Sequence, residues 1–191
     1  MKLVYDTETT GLPKNWNAPI TDSENWPRIV QLSWVIINNT GEEVAMGNFI
    51  IKPDKWTISE EVAKLHGISQ KIAEREGIEL KTAMNYFLAA VNTCDTIIAH
   101  NLNFDDHIVG AEIFRLVKNA EYWAERKKGK KEICTMLKGI EICNLPRMKW
   151  PKLMELHKEL FGGEFEGAHN ALFDTRACAK CFIKMVEDKI I

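Results

Sequence analysis

The feature that most constrains the fold is the apolar run Ile29–Ile37, which is bounded by turn-forming residues and is typical of a buried strand. Residues 38–41, Asn-Asn-Thr-Gly, predict a turn that leads into a second strand over residues 44–51. Residues 2–6 are a short strand pattern that precedes both. The chain therefore opens with three strands, which we expect to be antiparallel neighbours.

Helical patterns follow these strands, with one more strand between them. Ser59 and Ser69 are residue types that begin helices. The apolar segment Thr96–Ala99 predicts the further strand. The longer helical patterns lie at residues 80–91, from Asp105 onward and at 171–186. This alternation of helix and strand predicts a mixed α/β sheet.

Composition excludes several classes of protein. The 191 residues, of which 46% are hydrophobic, predict a single domain over residues 1–191 with its own core. A net charge of -2 gives no overall basic character, so nucleic-acid binding would need a local patch or metal ions in an acidic site. The five cysteines predict reduced thiols, and Cys178 and Cys181 read as core residues of a helix rather than as metal ligands.

No segment has the length of a signal peptide's apolar core or of a membrane span. We therefore expect no membrane association and a cytoplasmic location.

Two acids, Asp6 and Glu8, stand two residues apart at the end of the first strand. Because side chains alternate across a strand with a period of two, both carboxylates point to one face. On this segment alone, a solvated strand end before the turn at Gly11 explains the pair equally well.

Two further acids end hexapeptides of the pattern His-Asn-x-x-Phe-Asp, at residues 100–105 and 169–174, and each hexapeptide begins a helix. Asp105 and Asp174 both fall on the apolar stripe of their helix, although a favourable helix dipole would explain a single acid there. If they converge on the strand pair, four carboxylates share a small volume, and hard divalent cations would relieve their repulsion. A pair of such ions suits phosphodiester hydrolysis.

Three ordered motifs, Asp6-x-Glu8, residues 100–105 and His169-x-x-x-x-Asp174, resemble the exonuclease motifs of the DEDDh superfamily. That superfamily includes RNase T, oligoribonuclease and proofreading exonucleases such as the epsilon subunit of bacterial DNA polymerase III. The similarity extends over connecting segments at residues 27–32, 65–69 and 153–156. It implies an RNase H-like fold, with a central mixed five-stranded sheet, three antiparallel strands first, flanked by helices.

The resemblance also implies a 3′-5′ exonuclease that hydrolyses the terminal phosphodiester bonds of DNA or RNA and releases nucleoside 5′-monophosphates. The four acids match ligands of two Mg²⁺ or Mn²⁺ ions, and His169 matches the family's general base. Asn170 stands where a second subclass of the superfamily has tyrosine, which selects the histidine subclass. The expected partner is nucleic acid with a free, single-stranded 3′ end, and a DNA polymerase is a further candidate; oligomeric state stays open.

Substrate contacts are implied by the same resemblance. Residues that match those holding the terminal nucleotide are Thr9, Gly11 and Leu12. His66 and Asn101 match segments that line the family's substrate groove, but turn or capping roles explain them equally well. His100 is better explained by a structural role.

Two segments depart from the shortest form of the family pattern. Residues 13–26 carry Trp16 and Trp26, which could stack on bases, although packing of this loop onto the domain is the favoured interpretation. The basic run at residues 126–131 could follow phosphates or could be a solvated loop.

Alternative functions stay open on the sequence. One is an RNA-trimming exoribonuclease of the same superfamily, and another is an RNase H-like nuclease that cuts internally. A third is a noncatalytic, polymerase-accessory module that binds nucleic acid. The acid pair on the first strand and the late His169–Asp174 motif favour an exonuclease, and a pure binder would not need all five chemical positions.

Overall fold

Five strands form one mixed sheet in the computed structural model of the protein, which describes residues 1–191. The strands are β1 (Lys2–Thr9), β2 (Ile29–Ile37), β3 (Glu43–Ile50), β4 (Thr96–Ala99) and β5 (Lys131–Cys134). Their order is β3-β2-β1-β4-β5. β1 and β3 are antiparallel to β2, whereas β4 is parallel to β1 and β5 is parallel to β4. The predicted mixed sheet with three antiparallel strands first is confirmed.

Eight α-helices accompany the sheet. They are α1 (Glu60–His66), α2 (Gln70–Glu76), α3 (Leu80–Thr93), α4 (Leu102–Val117), α5 (Tyr122–Lys127), α6 (Thr135–Cys143), α7 (Leu153–Phe161) and α8 (Ala171–Glu187). A short 3-10 turn, Pro146–Met148, lies between α6 and α7. None of the helices combines the length and apolar composition that crossing a bilayer requires.

The two faces of β1 pack into different cores. Leu3 and Tyr5 belong to a large core that also takes side chains from α3 and α4. Val4 belongs to a second core, which contains buried residues of α8. Since side chains alternate along a strand, Asp6 and Glu8 continue the α8 face of the sheet and Thr7 continues the α4 face.

The bounds of some elements differ from those expected. The first strand was predicted over residues 2–6 but continues to Thr9, because β2 keeps pairing with it through Asp6 and Glu8. Ser59 and Ser69 do cap α1 and α2, each accepting a hydrogen bond from a backbone N–H at the start of its helix. These local signals predicted the helix starts well because capping depends on neighbouring residues only.

The region after residue 117 was less accessible from the sequence, which did not locate α5, β5 or α6. The basic run at residues 126–131 belongs to the folded body. Lys127 forms ion pairs with Asp106 and Glu132, and Lys130 Nζ donates to the Cys94 carbonyl oxygen. Two of its cations are therefore engaged by the protein, so the run is not simply a solvated loop.

The loop at residues 13–26 packs along α4, as the favoured interpretation predicted. Trp26 is buried, its indole N–H donates to the Pro19 carbonyl oxygen, and its ring stacks on His107 with centroids 4.8 Å apart. Trp16 instead keeps 44% of its surface exposed. Cys178 and Cys181 are buried core residues of α8, as predicted, and all five cysteines are free.

Gly77, at the end of α2, provides a test of this packing. A Cβ there would collide with the Ala73 carbonyl oxygen and lie 2.6 Å from the backbone nitrogen of Lys52. We expect Gly77→Ala to lower the free energy of unfolding by about 1–3 kcal/mol, because crowded backbone cannot move aside as a flexible side chain can. Urea denaturation measures the change.

Gly163→Ala is the matched control, since a Cβ at Gly163 meets no atom within 4 Å and its backbone does not require glycine. If the two variants have equal unfolding midpoints, the backbone of Ala73 and Lys52 does not crowd Gly77 as described.

Candidate active site

The site forms where β1 extends beyond its parallel neighbour β4. Pairing between them runs from Lys2 with Thr96 to Val4 with Ile98, and β4 ends at Ala99. The later residues of β1 pair only with β2. The edge of β1 that would face β4 is therefore open to the start of α4.

Asp105 of α4 occupies this open edge. Its Oδ1 accepts hydrogen bonds from the Thr7 N–H at 3.0 Å and from the Thr7 hydroxyl at 2.7 Å. Asp105 is nearly fully buried, as its place on the apolar helix stripe predicted. The carboxylate thus replaces the missing strand as the acceptor for the Thr7 backbone.

Three acids gather on the other face of the sheet. One carboxylate oxygen from each of Asp6, Glu8 and Asp174 can be chosen so that all three lie within 4.8 Å of one another. The N-terminus of α8 is fixed beside them, because the Ala171 N–H donates to Gln31 Oε1 at 3.1 Å and Gln31 pairs with Glu8 across the sheet. Residues 168 positions apart in the chain therefore share one small volume.

Asp105 is not part of that group of three, so the sequence-based picture of four converging carboxylates needs refinement. Its hydrogen bonds to Thr7 place it on the α4 side of β1, whereas Asp6 and Glu8 belong to the α8 side. Its charge nevertheless raises the pKa of both Asp6 and Glu8. The four acids therefore form one electrostatic unit around the end of β1.

The acids resist ionisation. Burial, followed by the charges of the neighbouring acids, raises the pKa of Asp6 well above its ordinary value and that of Glu8 to about 8. Burial raises the pKa of Asp105 to about 7, opposed by the hydrogen bonds from Thr7. Burial raises the pKa of Asp174 to about 6, opposed by the hydrogen bond from the His169 backbone.

These residues fit a divalent cation. The donor atoms are carboxylate oxygens, which hard cations such as Mg²⁺ and Mn²⁺ prefer. Bringing three or four negative charges together in a partly buried place is unfavourable unless protons or cations neutralise them. A bound divalent ion would replace the protons that the raised pKa values retain near neutral pH.

His169 precedes α8 and has a left-handed backbone, with φ of 67°. Its backbone N–H donates to Asp174 Oδ2 at 2.9 Å, while its ring is exposed and forms no hydrogen bond within the protein. The backbone contact ties the residue to the acid group. The imidazole nitrogens are left free for another partner.

The turn after β1 presents Leu12 to solvent. Thr9 is buried and its hydroxyl donates to the Gly11 carbonyl oxygen at 2.7 Å, while Gly11 has φ of 146°, in the range that favours glycine. Leu12 is 72% exposed. The turn thus holds an apolar side chain outward, four residues after Glu8 in the chain.

The other two residues predicted to bind substrate, His66 and Asn101, form no hydrogen bond with the acid group. His66 is buried at the end of α1, and its Nδ1 accepts from the Ile68 N–H at 3.1 Å, which is the turn-capping role left open above. Asn101 caps the start of α4 in a left-handed conformation and lines a surface cleft. Neither residue contacts the acids directly through a hydrogen bond.

His100 has the structural role expected of it. Its Nδ1 lies 3.0 Å from the Thr135 hydroxyl oxygen, and its Nε2 lies 3.0 Å from the Pro151 carbonyl oxygen. Burial lowers its pKa to about 4, so the ring is neutral at physiological pH. The two similar hexapeptides thus supply one half-buried histidine whose ring nitrogens are engaged and one exposed histidine whose ring nitrogens are free.

Two residues that position the site were missed by sequence reasoning, Thr7 and Gln31. Thr7 lies between Asp6 and Glu8, and strand alternation alone would have placed it on the opposite face, beneath a helix. Gln31 is a polar residue inside the apolar run of β2. A buried polar residue in such a run signals a hydrogen-bond partner, although the identity of that partner is not readable from the pattern.

The family model described as "Exonuclease" (RNase_T) matches residues 3–182 of the chain. The chain belongs to the exonuclease family. The resemblance to DEDDh exonucleases that the three ordered motifs indicated is thereby confirmed at the level of the family. No curated protein sequence matches this exonuclease-family chain.

Solved exonuclease structures share its fold. Exonuclease I of E. coli in complex with a dT13 oligonucleotide aligns with a TM-score of 0.75 at 18% identity, over 97% of this chain and 40% of that one. A moderately thermophilic exonuclease I from Methylocaldum szegediense aligns with a TM-score of 0.74 at 19% identity, over 99% and 41%. The chain thus spans about two fifths of these proteins.

Exonuclease X in complex with 5′ overhanging duplex DNA is a relative of more similar length. It aligns with a TM-score of 0.64 at 20% identity, over 99% of this chain and 93% of that one. At these identities the likeness concerns the fold, and it confirms the expected RNase H-like arrangement of a mixed five-stranded sheet flanked by helices.

The acid group of this exonuclease-family protein predicts a pH-dependent response to divalent cations. Carboxyl groups whose pKa is raised by folding favour the protonated state, so the metal-free protein should lose stability as pH rises from about 4 to 8. Added Mg²⁺ or Mn²⁺ should raise Tm, and more at pH 8 than at pH 5, because binding needs ionised carboxylates. At a cation concentration one hundred times Kd, the free energy of unfolding rises by about 2.7 kcal/mol. This corresponds to a rise in Tm of roughly 5–10 °C.

Differential scanning calorimetry with cation and with EDTA measures this response. Asp174→Asn is the control: removing one charge should stabilise the metal-free protein at pH 8 and shrink the cation-induced rise in Tm. A rise of equal size at both pH values, or one unaffected by Asp174→Asn, would show that the cation binds elsewhere.

Proposed function

We propose that this protein is a 3′-5′ exonuclease that removes nucleoside 5′-monophosphates from the free 3′ end of single-stranded DNA. The observation that carries the proposal is the group of Asp6, Glu8 and Asp174 beside Asp105, with the exposed His169 tied to it. These are the five chemical positions of the DEDDh pattern, and they come from three separate parts of the chain.

The four acids are the proposed holders of two Mg²⁺ or Mn²⁺ ions. When bound, such ions acidify a water molecule and neutralise charge on the attacking and leaving oxygens of the phosphodiester. Asp6, Glu8 and Asp174 supply oxygens close enough to one another to share a cation. Asp105 approaches from the other face of β1 and is oriented by Thr7.

His169 is the proposed general base. An imidazole has an ordinary pKa of about 6.5 and accepts a proton near neutral pH. Its ring nitrogens are not engaged by the protein, and its backbone is fixed to Asp174. The ring can therefore turn toward a water molecule at the acid group and accept its proton as the water oxygen attacks phosphorus. The bond from phosphorus to the 3′ oxygen breaks, that oxygen takes up a proton from solvent to become the new 3′ hydroxyl, and the ring releases its proton to solvent.

DNA is proposed as the substrate because the solved relatives include exonuclease I bound to a dT13 oligonucleotide and exonuclease X bound to duplex DNA with a 5′ overhang. The turn from Thr9 to Leu12 would hold the terminal nucleotide, with the exposed Leu12 against its base. RNA trimming by the same site is the second candidate, since a site that grips one nucleotide contains few groups that report a 2′ hydroxyl.

Asp174→Ala and His169→Ala test the assignment of the catalytic residues. Loss of the Asp174 carboxylate removes one of three grouped oxygens and should abolish measurable hydrolysis. Loss of a general base lowers kcat by roughly 10²–10⁴-fold, so His169→Ala should retain weak activity. The assay follows 5′-labelled single-stranded DNA and RNA, and duplexes with matched or mispaired 3′ ends, in Mg²⁺ or Mn²⁺.

A ladder that shortens one nucleotide at a time from the 3′ end is the expected product pattern. Internal fragments would indicate an endonuclease, and binding without any cleavage would indicate a noncatalytic module. The control variant is His100→Asn, which changes the histidine of the matching hexapeptide and should affect stability more than the pH profile of kcat. If His169→Ala hydrolyses DNA at the wild-type rate, His169 is not the general base.

Thr7 is a positioning residue in this proposal, and Thr7→Val tests it. The variant keeps side-chain volume but loses the hydroxyl that donates to Asp105. We expect kcat to fall by roughly 10- to 100-fold, since a hydrogen bond to a charged group contributes about 1.5–3 kcal/mol, with little change in KM. Thr7→Ser keeps the hydroxyl and should restore kcat; equal defects in both variants would indicate a packing effect only.

Association with a DNA polymerase and a cytoplasmic location stay predictions from the sequence. Co-purification of the full chain with a polymerase would test the first of these.

A further inference from the structure

A groove beside the start of α4 is not used by the proposed chemistry. It has a volume of about 1030 Å³, which is at the upper end of the roughly 300–1,000 Å³ of cavities that bury a drug-sized ligand. Residues that form its apolar and aromatic surface include Trp16, Leu102, Met136, Leu137 and Trp150. We call it the tryptophan groove.

The tryptophan groove lies beside the first turns of α4, the helix that carries Asp105. Asn101 lines it and also caps α4, the helix that carries Asp105 four residues later. Trp16 packs against Phe104, the residue before Asp105, with ring centroids 5.8 Å apart. The groove and the acid group therefore share the start of α4, where Asp106 lines the groove and Asp105 contacts Thr7.

Trp16 is held in place by a fixed loop. Asn15 and Asn25 join the two ends of the loop, with Asn15 N–H donating to Asn25 Oδ1 at 2.7 Å and Asn25 Nδ2 donating to the Asn15 carbonyl oxygen at 3.0 Å. Arg115 of α4 donates to the carbonyl oxygens of Ser23 and Trp26. The exposed indole is therefore presented on a rigid support, so little side-chain freedom is lost on binding.

Trp150 comes from a second anchored segment. Pro151 is buried and its carbonyl oxygen accepts from His100, the residue next to Asn101. Trp150 itself is 61% exposed and the neighbouring Met148 is 71% exposed. The segment thus holds its apolar side chains in solvent although its backbone is fixed to the core.

The charges around the tryptophan groove balance, so the groove does not repel a polyanion. Two acids of its wall, Asp106 and Glu132, share the single cation Lys127, with ion pairs of 2.5 and 3.0 Å, and a second cation of the wall offsets the remaining charge. Lys138 also lines the groove, is exposed and forms no ion pair within the protein. Arg147, close to Trp150 in the chain, is likewise exposed and unpaired.

We propose that the tryptophan groove binds the nucleotides that precede the 3′ end of the substrate strand, with bases stacked on Trp16 and Trp150. This inference rests on the proposed exonuclease function and extends it from the terminal nucleotide to the strand behind it. Stacking on aromatic side chains accepts every base, so the groove grips single-stranded nucleic acid without regard to sequence. A duplex end must separate before its bases reach the two indoles.

Binding of an eight-nucleotide single-stranded DNA in EDTA tests the groove without catalysis. The wild-type protein should show quenching of tryptophan fluorescence, because stacked bases cover two exposed indoles. Trp16→Ala and Trp150→Ala should each raise Kd by about fivefold or more, and Trp150→Phe, which keeps an aromatic face, should retain most of the affinity.

Tyr86→Ala is the matched control. Tyr86 is 56% exposed and stacks on Phe49 of β3, at the sheet edge opposite β5, so its loss should leave Kd unchanged. Equal Kd values for wild type, Trp16→Ala and Trp150→Ala would overturn the proposal and would favour a protein partner for the groove. Absence of quenching in the wild type would also overturn it.

A second measurement separates this inference from the proposed function. The p-nitrophenyl ester of thymidine 5′-monophosphate offers a bond to hydrolyse but no preceding nucleotides. We expect Trp150→Ala to lower kcat/KM for a ten-nucleotide strand by fivefold or more relative to kcat/KM for the ester. If Trp150→Ala lowers kcat/KM equally for the strand and for the ester, the proposed role of the groove is wrong. If the wild-type protein cleaves neither substrate in the presence of metal, the proposed exonuclease function is wrong instead.

Discussion

β1 is longer than its parallel neighbour β4, and the whole acid group depends on that difference in length. Where β4 stops, the open edge of β1 accepts the start of α4, and the Thr7 N–H donates to Asp105 in place of a strand carbonyl. On the opposite face Asp6 and Glu8 meet Asp174 at the start of α8. One strand end thus gathers acids from both helical layers.

Bringing the four acids together is electrostatically unfavourable, and only a few hydrogen-bond donors of the protein offset their repulsion. Thr7 donates twice to Asp105, and the His169 backbone donates once to Asp174. Burial raises the pKa of Asp6 and of Glu8, and the charges of the neighbouring acids raise both further. A divalent cation bound by these acids would lower the free energy of the site by offsetting their repulsion, so the acid group is the part of the protein from which a metal requirement would arise.

Much of this was predictable where local rules apply. Strand alternation placed Asp6 and Glu8 on one face, and helical spacing placed Asp105 among buried residues. The same rules did not show that Asp105 approaches from the other face of β1, because helical periodicity tells which side of a helix is buried but not which layer covers it. The sequence also left the role of Trp16 open, because its exposure depends on how the loop at residues 13–26 lies along α4.

By itself, the sequence determined the residue types of the site, their order in the chain, the strand and helix that carry each acid, and membership of the exonuclease family. Only the tertiary structure decided the split of the acids between two faces, the roles of Thr7 and Gln31, and the meeting of Trp16 with Trp150 in one groove. The physical reason is range. Capping and periodicity act between residues a few positions apart, whereas these contacts join distant segments whose proximity depends on how helices pack against the sheet.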